Sequence, residues 1–245
     1  GDIFWAVSDH EWILEGAAVN VSMVAFDAGS EQARELDSRS VQNINADLTA
    51  AVDLVGAQQL PENARIAFIG TQKGGPFDIP YESAHTMLQS KGNPNGKPNS
   101  DVIRPWANGS DITGRSHELW IIDFGAAMTE AEAAAYERPF EYVRQHVFPV
   151  RQGLRRENHR RYWWLHAESR PGMRAAMSSL NRYIATPRVS KHRVFVWLEV
   201  KVLPDSAVVA IARKDDYFFG VLHSRLHELW ALRLGTSLED RPRYT

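Results

Sequence analysis

Two short segments carry side chains that could hydrogen-bond to nucleic-acid bases. Residues 104–115 read Arg-Pro-Trp-Ala-Asn-Gly-Ser-Asp-Ile-Thr-Gly-Arg, and residues 182–193 read Arg-Tyr-Ile-Ala-Thr-Pro-Arg-Val-Ser-Lys-His-Arg. Arginine and lysine suit the acceptors of guanine, and asparagine suits the paired donor and acceptor of adenine. The side chains in these segments that we predict to contact DNA are Arg104, Asn108, Asp111, Thr113, Arg188, Ser190, Lys191 and Arg193.

Pro187 suggests how the second segment presents its polar side chains. Proline has no amide donor and holds the chain extended. Side chains alternate along a strand, so Arg188 and Ser190 would lie on one side and Lys191 and Arg193 on the other. We predict that Arg188 and Ser190 face a DNA groove, because a short hydroxyl beside a bidentate arginine can read a base.

A run of arginines could supply contacts that do not depend on sequence. Residues 151–161 are rich in arginine, and guanidinium groups pair with phosphates through two hydrogen bonds. The candidates for phosphate contact are Arg155, Arg156, Arg160 and Arg161. Tyr, Trp and Trp follow at positions 162–164; they could stack on bases, but aromatic clusters of this density are usually buried. We predict that only the arginines face outward.

The distribution of charge also points to a polyanionic partner. Residues 138–193 hold 13 Lys and Arg but only three Asp and Glu, whereas the whole 245-residue chain holds 28 and 30. Such asymmetry is typical of proteins that bind nucleic acid. The alternative is a solvated basic face that acidic loops balance in space.

Two further motifs suggest chemistry that they do not complete. Gly70-Thr-Gln-Lys-Gly-Gly lacks the Gly-Lys-Ser/Thr end of a phosphate loop, so we predict a turn from which Lys73 could reach a DNA phosphate. His223 and His227 are four residues apart but have no third ligand in view, and no metal site is predicted. The chain has no cysteine, which excludes disulfides and suits a reducing cytoplasm.

The elements that would position these residues belong to the α+β class. Hydrophobic periodicity predicts strands over residues 3–7, 17–26, 65–69, 119–124, 182–186, 194–200 and 208–213. It predicts helices over residues 80–91, 129–145, 173–180 and 217–233. Residues 8–14 are predicted to connect the first two strands, and residues 204–206 to close a hairpin between the last two. No apolar run reaches the about 20 residues that a membrane helix needs. Because the chain opens inside a strand without Met, we expect a piece of a longer protein.

Several blocks in order resemble one family. Ile3-Phe-Trp-Ala-Val, Ser100-Asp-Val-Ile-Arg-Pro-Trp, the residues from Arg182 to Arg193, and Phe219-Gly-Val-Leu-His-Ser-Arg-Leu-His-Glu-Leu-Trp are similar to the MmeI-like (type IIL) restriction–modification enzymes and the Eco57I/TaqI-type adenine-specific DNA methyltransferases. The resemblance implies that residues 1–28 are terminal strands of a class I methyltransferase sheet. Residues 29–62 would be an irregular linker, and residues 63–245 a mixed α/β target-recognition domain that binds double-stranded DNA.

The catalytic parts of that family are missing. The Asn-Pro-Pro-Tyr/Phe motif, the cofactor loop and the nuclease motif do not occur in the sequence. The resemblance therefore implies S-adenosylmethionine-dependent adenine-N6 methylation for a cytoplasmic parent protein, whose missing N-terminal part is the partner of this chain. For the chain itself we expect DNA recognition, without catalysis or a bound cofactor. Trp12, or Trp5, could stack on a flipped base, and a core tryptophan is an equal alternative. Other possibilities are a protein-interaction domain of a defence complex and part of a modification-only methyltransferase.

Overall fold

The chain divides into two compact units. The computed structural model describes residues 1–14, 16–50, 58, 60–238 and 241–244. The first unit is Gly1–Leu60 and the second is Pro61–Thr245. Strands and helices mix along the second unit, and the first contains strands. The α+β class predicted from the sequence is confirmed.

The first unit is built on a long antiparallel hairpin. Its four strands form one sheet in the order β2-β1-β3-β4 and are β1 (Asp2–Leu14), β2 (Ala17–Asp27), β3 (Arg34–Leu36) and β4 (Arg39–Val41). Ala6 of β1 and Leu36 of β3 form a small buried core with Ile44. β1 runs through residues 8–14, where a connecting segment was predicted, and pairs there with β2: His10 lies opposite Val21 and Trp12 opposite Val19. The prediction was wrong because the four polar residues at positions 8–11 interrupt the apolar pattern of the strand.

The segment predicted to be an irregular linker, residues 29–62, contributes β3 and β4. Asp37 and Ser38 join these two strands with φ values of 50° and 63°. Two successive residues with positive φ make the tight turn that matches the twist of a hairpin. The strands have three residues each, which is too short for alternation to show in the sequence, so the expectation of irregular structure was wrong for residues 34–41.

The second unit contains short strands in two four-stranded sheets and a terminal ribbon. The strands are β5 (Ala67–Ile69), β6 (Asp78–Ile79), β7 (Ile103–Ala107), β8 (Trp120–Ile122), β9 (Arg182–Pro187), β10 (Val196–Glu199), β11 (Leu203–Pro204), β12 (Val208–Ile211), β13 (Thr236–Leu238) and β14 (Arg241–Arg243). One sheet has the order β10-β9-β12-β5 and the other β11-β7-β8-β6, and β13 pairs with β14. Phe77, Ile121, Tyr183 and Val208 belong to the apolar core that both sheets share.

The helices of the second unit are short and cover these sheets. They are α1 (Tyr81–Gln89), α2 (Gly109–Thr113), α3 (Glu130–Ala134), α4 (Glu137–His146), α5 (Phe148–Gln152), α6 (Glu157–Arg161), α7 (Pro171–Met177), α8 (Asp216–Leu222) and α9 (Arg225–Leu234). Among the described residues, no helix has both the length and the apolar character that crossing a membrane requires.

The hairpin predicted at residues 204–206 does not form. β10 and β12 lie on opposite edges of β9 and do not pair with each other. After its first residue β9 is buried throughout, so both of its edges need a hydrogen-bonding neighbour. Pro204 belongs instead to β11, which pairs with β7 in the other sheet.

Both long helices predicted from periodicity are interrupted. Buried Tyr136 adopts a non-helical conformation between α3 and α4, and Pro139 then falls in the first turn of α4, where a missing amide costs nothing. Ser224 separates α8 from α9, and its hydroxyl accepts a hydrogen bond from the His227 amide at 3.2 Å. His223 and His227 therefore do not share one helix; their rings meet Phe195 edge-on.

Candidate nucleic-acid interface

A cleft of about 700 Å³ in the second unit is lined by predicted residues from separate segments of the chain. Lys73, Asn108, Thr113 and Arg188 all line it. More than 100 positions separate the first of these from the last in sequence, so the fold alone brings them together. Other polar residues of its wall were not singled out from the sequence: Asp78, Ser110, Asp205, Ser206 and Arg243.

The glycine-containing loop that carries Lys73 is packed against the protein. A Cβ atom on Gly70 would lie 2.2 Å from the carbonyl oxygen of Asp205, so this position admits no side chain. Arg151 is fully buried, and its Nη2 donates to the carbonyl of Lys73 at 2.9 Å. The glycine at position 70 therefore serves close backbone packing. Lys73 projects from the fixed loop and pairs with Asp78.

Asn108 begins α2 and leaves one group available. Its Oδ1 accepts hydrogen bonds from the amide and the hydroxyl of Ser110, at 2.8 and 2.6 Å. No described residue accepts from its Nδ2, so the amide nitrogen can donate to a ligand in the cleft. Thr113, at the end of the same helix, donates to the carbonyl of Gly109 at 3.2 Å and keeps its acceptor capacity.

Asp111 holds this turn and does not line the cleft. Its carboxylate accepts from the amides of Asn108 and His117, both at 2.8 Å. Burial alone would raise the pKa of Asp111, but these hydrogen bonds outweigh it and the pKa is lowered. The capping box of α2 thus accounts for Asp111, and its side chain serves to orient Asn108.

Arg188 lies just beyond β9, and its backbone is held on both sides. Its amide donates to Ala207 at 2.7 Å, and its carbonyl accepts from Tyr244 at 2.8 Å. No hydrogen-bond or salt-bridge partner of the Arg188 guanidinium occurs among the described residues. β9 ends at Pro187, so the strand alternation predicted for residues 188–193 does not apply.

The other predicted residues of this segment do not line the cleft. Ser190 donates to the carbonyl of His192 at 2.7 Å, and exposed Lys191 borders a second, smaller depression. The guanidinium of Arg193 donates to Thr186 at 3.1 Å and to Pro242 at 3.2 Å. Burial lowers the pKa of Arg193, which functions as an internal brace.

Arg104 is a second internal brace. Its Nε donates to the carbonyl of Lys201 at 3.0 Å, its Nη2 to that of Val200, and its Nη1 lies 3.6 Å from the buried carboxylate of Asp123. Burial lowers the pKa of Arg104, and the nearby Asp123 partly offsets this effect. Its donors are directed into the protein, although its residue type suited base reading.

The arginine-rich segment presents most of its charge to solvent. Arg155, Arg156 and Arg161 are exposed, whereas Arg160 donates to the carbonyl of Leu154 at 2.8 Å. Behind them Trp163 and Trp164 are buried, as predicted. Tyr162 is 43% exposed, and the guanidinium of Arg161 lies 5.4 Å from its ring centre, so the prediction of a core position for this tyrosine was wrong.

Trp12 lies in the first unit, near the end of the long hairpin. It faces Val19 across the hairpin and is 47% exposed. The ring of His10 lies edge-on to it, with 6.2 Å between ring centres. Trp12 is therefore not part of the described core of this unit, and its ring is accessible for stacking.

Comparison with known proteins finds similarity in fold. No family model matches the chain, and no curated protein matches its sequence. The solved structure of the type IIL restriction–modification enzyme MmeI in complex with DNA superposes with a TM-score of 0.69 at 18% identity, over 100% of this chain and 34% of that one. The chain thus spans about a third of the length of that protein. Its fold agrees with the family resemblance that the sequence blocks indicate.

Proposed function

We propose that this chain recognises a DNA sequence on behalf of a larger restriction–modification enzyme. The observation that carries the proposal is the convergence of Lys73, Asn108, Thr113 and Arg188 on one cleft. Arg188 offers a fork of donors suited to guanine, and Asn108 offers an amide. The similarity in fold to an enzyme solved in complex with DNA supports this reading.

Exposed arginines would supply the affinity for any duplex. Arg155, Arg156 and Arg161 are exposed on one short segment and would bind phosphates. Each lost phosphate contact lowers the slope of log K against log salt by about 0.9. We expect the joint replacement of these three arginines with alanine to weaken binding to every sequence alike and to flatten the slope.

Titration of the chain with duplex DNA at several salt concentrations measures both effects. Arg138→Ala is the matched control, because Arg138 is exposed in the same unit and does not line the cleft. An unchanged slope in the triple variant would make these arginines structural. Absence of salt-dependent binding by the unsubstituted chain would exclude the DNA function itself.

For the parent protein we propose methylation of adenine N6 with S-adenosylmethionine, in the cytoplasm. The glycine-containing loop at residues 70–75 does not fit that cofactor. Gly70 is accounted for by its contact with Asp205, and a Cβ on Gly74 or Gly75 would meet Ala167 or Val147. The glycines of this loop thus face protein atoms and leave no cradle for a ligand. In this proposal the cofactor is held by a part of the parent outside this chain.

The first unit would complete the methyltransferase sheet of the parent, and Trp12 would stack on the flipped adenine. Strand β2 is at an edge of its sheet, and Val19, Val24 and Phe26 are exposed along it. In the full-length parent, we expect Trp12→Ala to abolish methylation while DNA binding and folding persist. Normal methylation by that variant would rule out the stacking role.

A second candidate is a protein-interaction domain of a defence complex. Helix α9 favours it, because Leu226, Leu229 and Trp230 are exposed on its surface. The salt titration separates the two candidates, since only the neutralisation of phosphates gives a steep slope. A parent that modifies DNA without cleaving it is a further alternative, and the sequence of the missing part would distinguish it.

A further inference from the structure

Arg243 joins the cleft through backbone pairing. It lies in β14, and an isolated antiparallel bridge places it opposite Val189, the residue after Arg188. The side chains of Arg188, Val189 and Arg243 all line the cleft. Two arginines that are 55 positions apart therefore share one wall.

The backbone of Arg243 is fixed on both sides. The Pro242 carbonyl accepts from the Arg193 guanidinium at 3.2 Å and from the Ser190 amide at 3.3 Å. On the other side, the Tyr244 amide donates to Arg188 at 2.8 Å. β14 also pairs with β13, and a Cβ on Gly235 would lie 2.8 Å from the Arg243 carbonyl. These backbone contacts fix the position from which the Arg243 side chain extends.

The guanidinium of Arg243 has no acceptor among the described residues. Its Nε is buried without a hydrogen-bond partner. Arg193, by contrast, directs its donors to Thr186, Pro187 and Pro242. Lys73, another cation of the cleft, is paired with Asp78. A half-buried guanidinium without a partner on the wall of a polar cleft is suited to an anionic ligand.

The position of Arg243 favours phosphate over a base edge. Arg243 lines the cleft and also the depression bordered by Lys191, so it forms part of the ridge between the two. Phosphates are the outermost groups of a duplex, whereas base edges lie inside its grooves. Arg188 lies in the segment beyond the end of β9, and this position is better suited than that of Arg243 to entering a groove.

We propose that Arg243 binds a DNA phosphate and orients the duplex so that Arg188 faces a base. The proposal rests on the proposed DNA-recognition function. Arg243 is then a positioning residue that sets register without reading sequence. Its charge matters and its planar shape does not, which separates it from a base-reading arginine.

Three variants of the chain test this assignment: Arg243→Gln, Arg243→Lys and the control Arg138→Gln. We expect Arg243→Gln to lower the salt slope by about 0.9 relative to the unsubstituted chain. Arg243→Lys should keep the slope. Selection from a randomised duplex pool should return the same preferred sequence for all three variants. Thermal unfolding followed by circular dichroism checks that each variant is folded.

Several outcomes would overturn the assignment. A changed base preference in Arg243→Lys would make Arg243 a base-reading residue, and a slope in Arg243→Gln equal to that of Arg138→Gln would remove it from the DNA contact. If Arg243→Gln does not fold, loss of the slope in folded Arg243→Lys overturns it as well. If the unsubstituted chain selects no sequence, the proposed recognition function itself is excluded. If the chain selects a sequence and both Arg243 variants show the salt slope of Arg138→Gln, only the role of Arg243 is excluded.

Discussion

Asp123→Asn is expected to lower the free energy of unfolding by about 3–5 kcal/mol, the cost of removing one member of a buried ion cluster. Asp123 is 4% exposed, and its two carboxylate oxygens each accept from the Arg174 guanidinium at 2.8 Å. Arg104 adds a third cationic contact at 3.6 Å. Without the negative charge, the two arginines are left close together with part of their charge uncompensated.

The same cluster predicts a dependence of stability on pH. Burial alone would raise the pKa of Asp123, but the attraction of His166, Arg174 and Arg104 and the hydrogen bonds from Arg174 lower it to about 2. Burial lowers the pKa of His166, so the charge of its imidazole attracts Asp123 only at acidic pH, and at neutral pH the two arginines provide the positive charge. A carboxylate with a lowered pKa stabilises the fold above its unfolded pKa of about 3.9. This stabilisation is lost as the pH falls from about 4 towards 2.

Urea unfolding at pH 7 and at stepwise lower pH measures both effects. Glu141→Gln is the matched control, because Glu141 forms an exposed ion pair with Arg144 that is worth at most about 1 kcal/mol. The difference between the unsubstituted chain and Asp123→Asn should shrink as the pH falls below 4. A loss at pH 7 no larger than that of the control would show that the cluster does not stabilise the unit.

The cluster links folding to the candidate interface. Asp123 follows β8, Arg174 lies in α7, and Arg104 lies in β7, four residues before Asn108. Their contacts tie together the strand that leads into the α2 turn and the helix that precedes β9. We therefore expect a chain weakened at Asp123 to lose order in the cleft before it loses its remaining core.

Residue type singled out four residues that line the cleft, but it could not distinguish an arginine that lines the cleft from one whose donors are used inside the protein. Arg188 and Arg104 carry the same group in segments of similar composition. Arg104 meets Lys201, 97 positions away, and its donors are used there. A contact between residues so far apart in sequence cannot be predicted from the spacing of nearby residues. Arg243 was missed for the same reason, since only the bridge to Val189 brings it to the cleft.

Periodicity located most elements and failed where tertiary contacts decide their limits. β9 was predicted to within one residue, because Tyr183, Ile184 and Ala185 form an apolar run that is buried in the sheet. The pairing of β9 with β10 and β12 was not predicted, because strand pairing depends on which strand edges the folded chain brings together. The break before α9 was signalled by Ser224, whose type favours a helix start, but the apolar pattern continues across it.

Arg188→Ala is expected to relax the preference for one base position by about 1–3 kcal/mol, which is about 5- to 150-fold in relative affinity. The Arg188 guanidinium lines the cleft without a partner among the described residues, and both neighbouring backbone contacts hold it in place. A base contact contributes to one sequence position, whereas a phosphate contact contributes to all sequences. Arg188→Lys should relax the same position, because lysine lacks the planar fork.

Ser190→Ala is the control within the same segment. The Ser190 hydroxyl donates to His192 at 2.7 Å and borders the smaller depression, so its loss should leave the selected sequence unchanged. Selection from a randomised duplex pool, with the chain and each variant, measures the preference. If Arg188→Ala selects the same sequence as the unsubstituted chain, Arg188 does not read a base. Specificity would then fall to Asn108 and Thr113, which line the same cleft and present an amide donor and a hydroxyl acceptor to it.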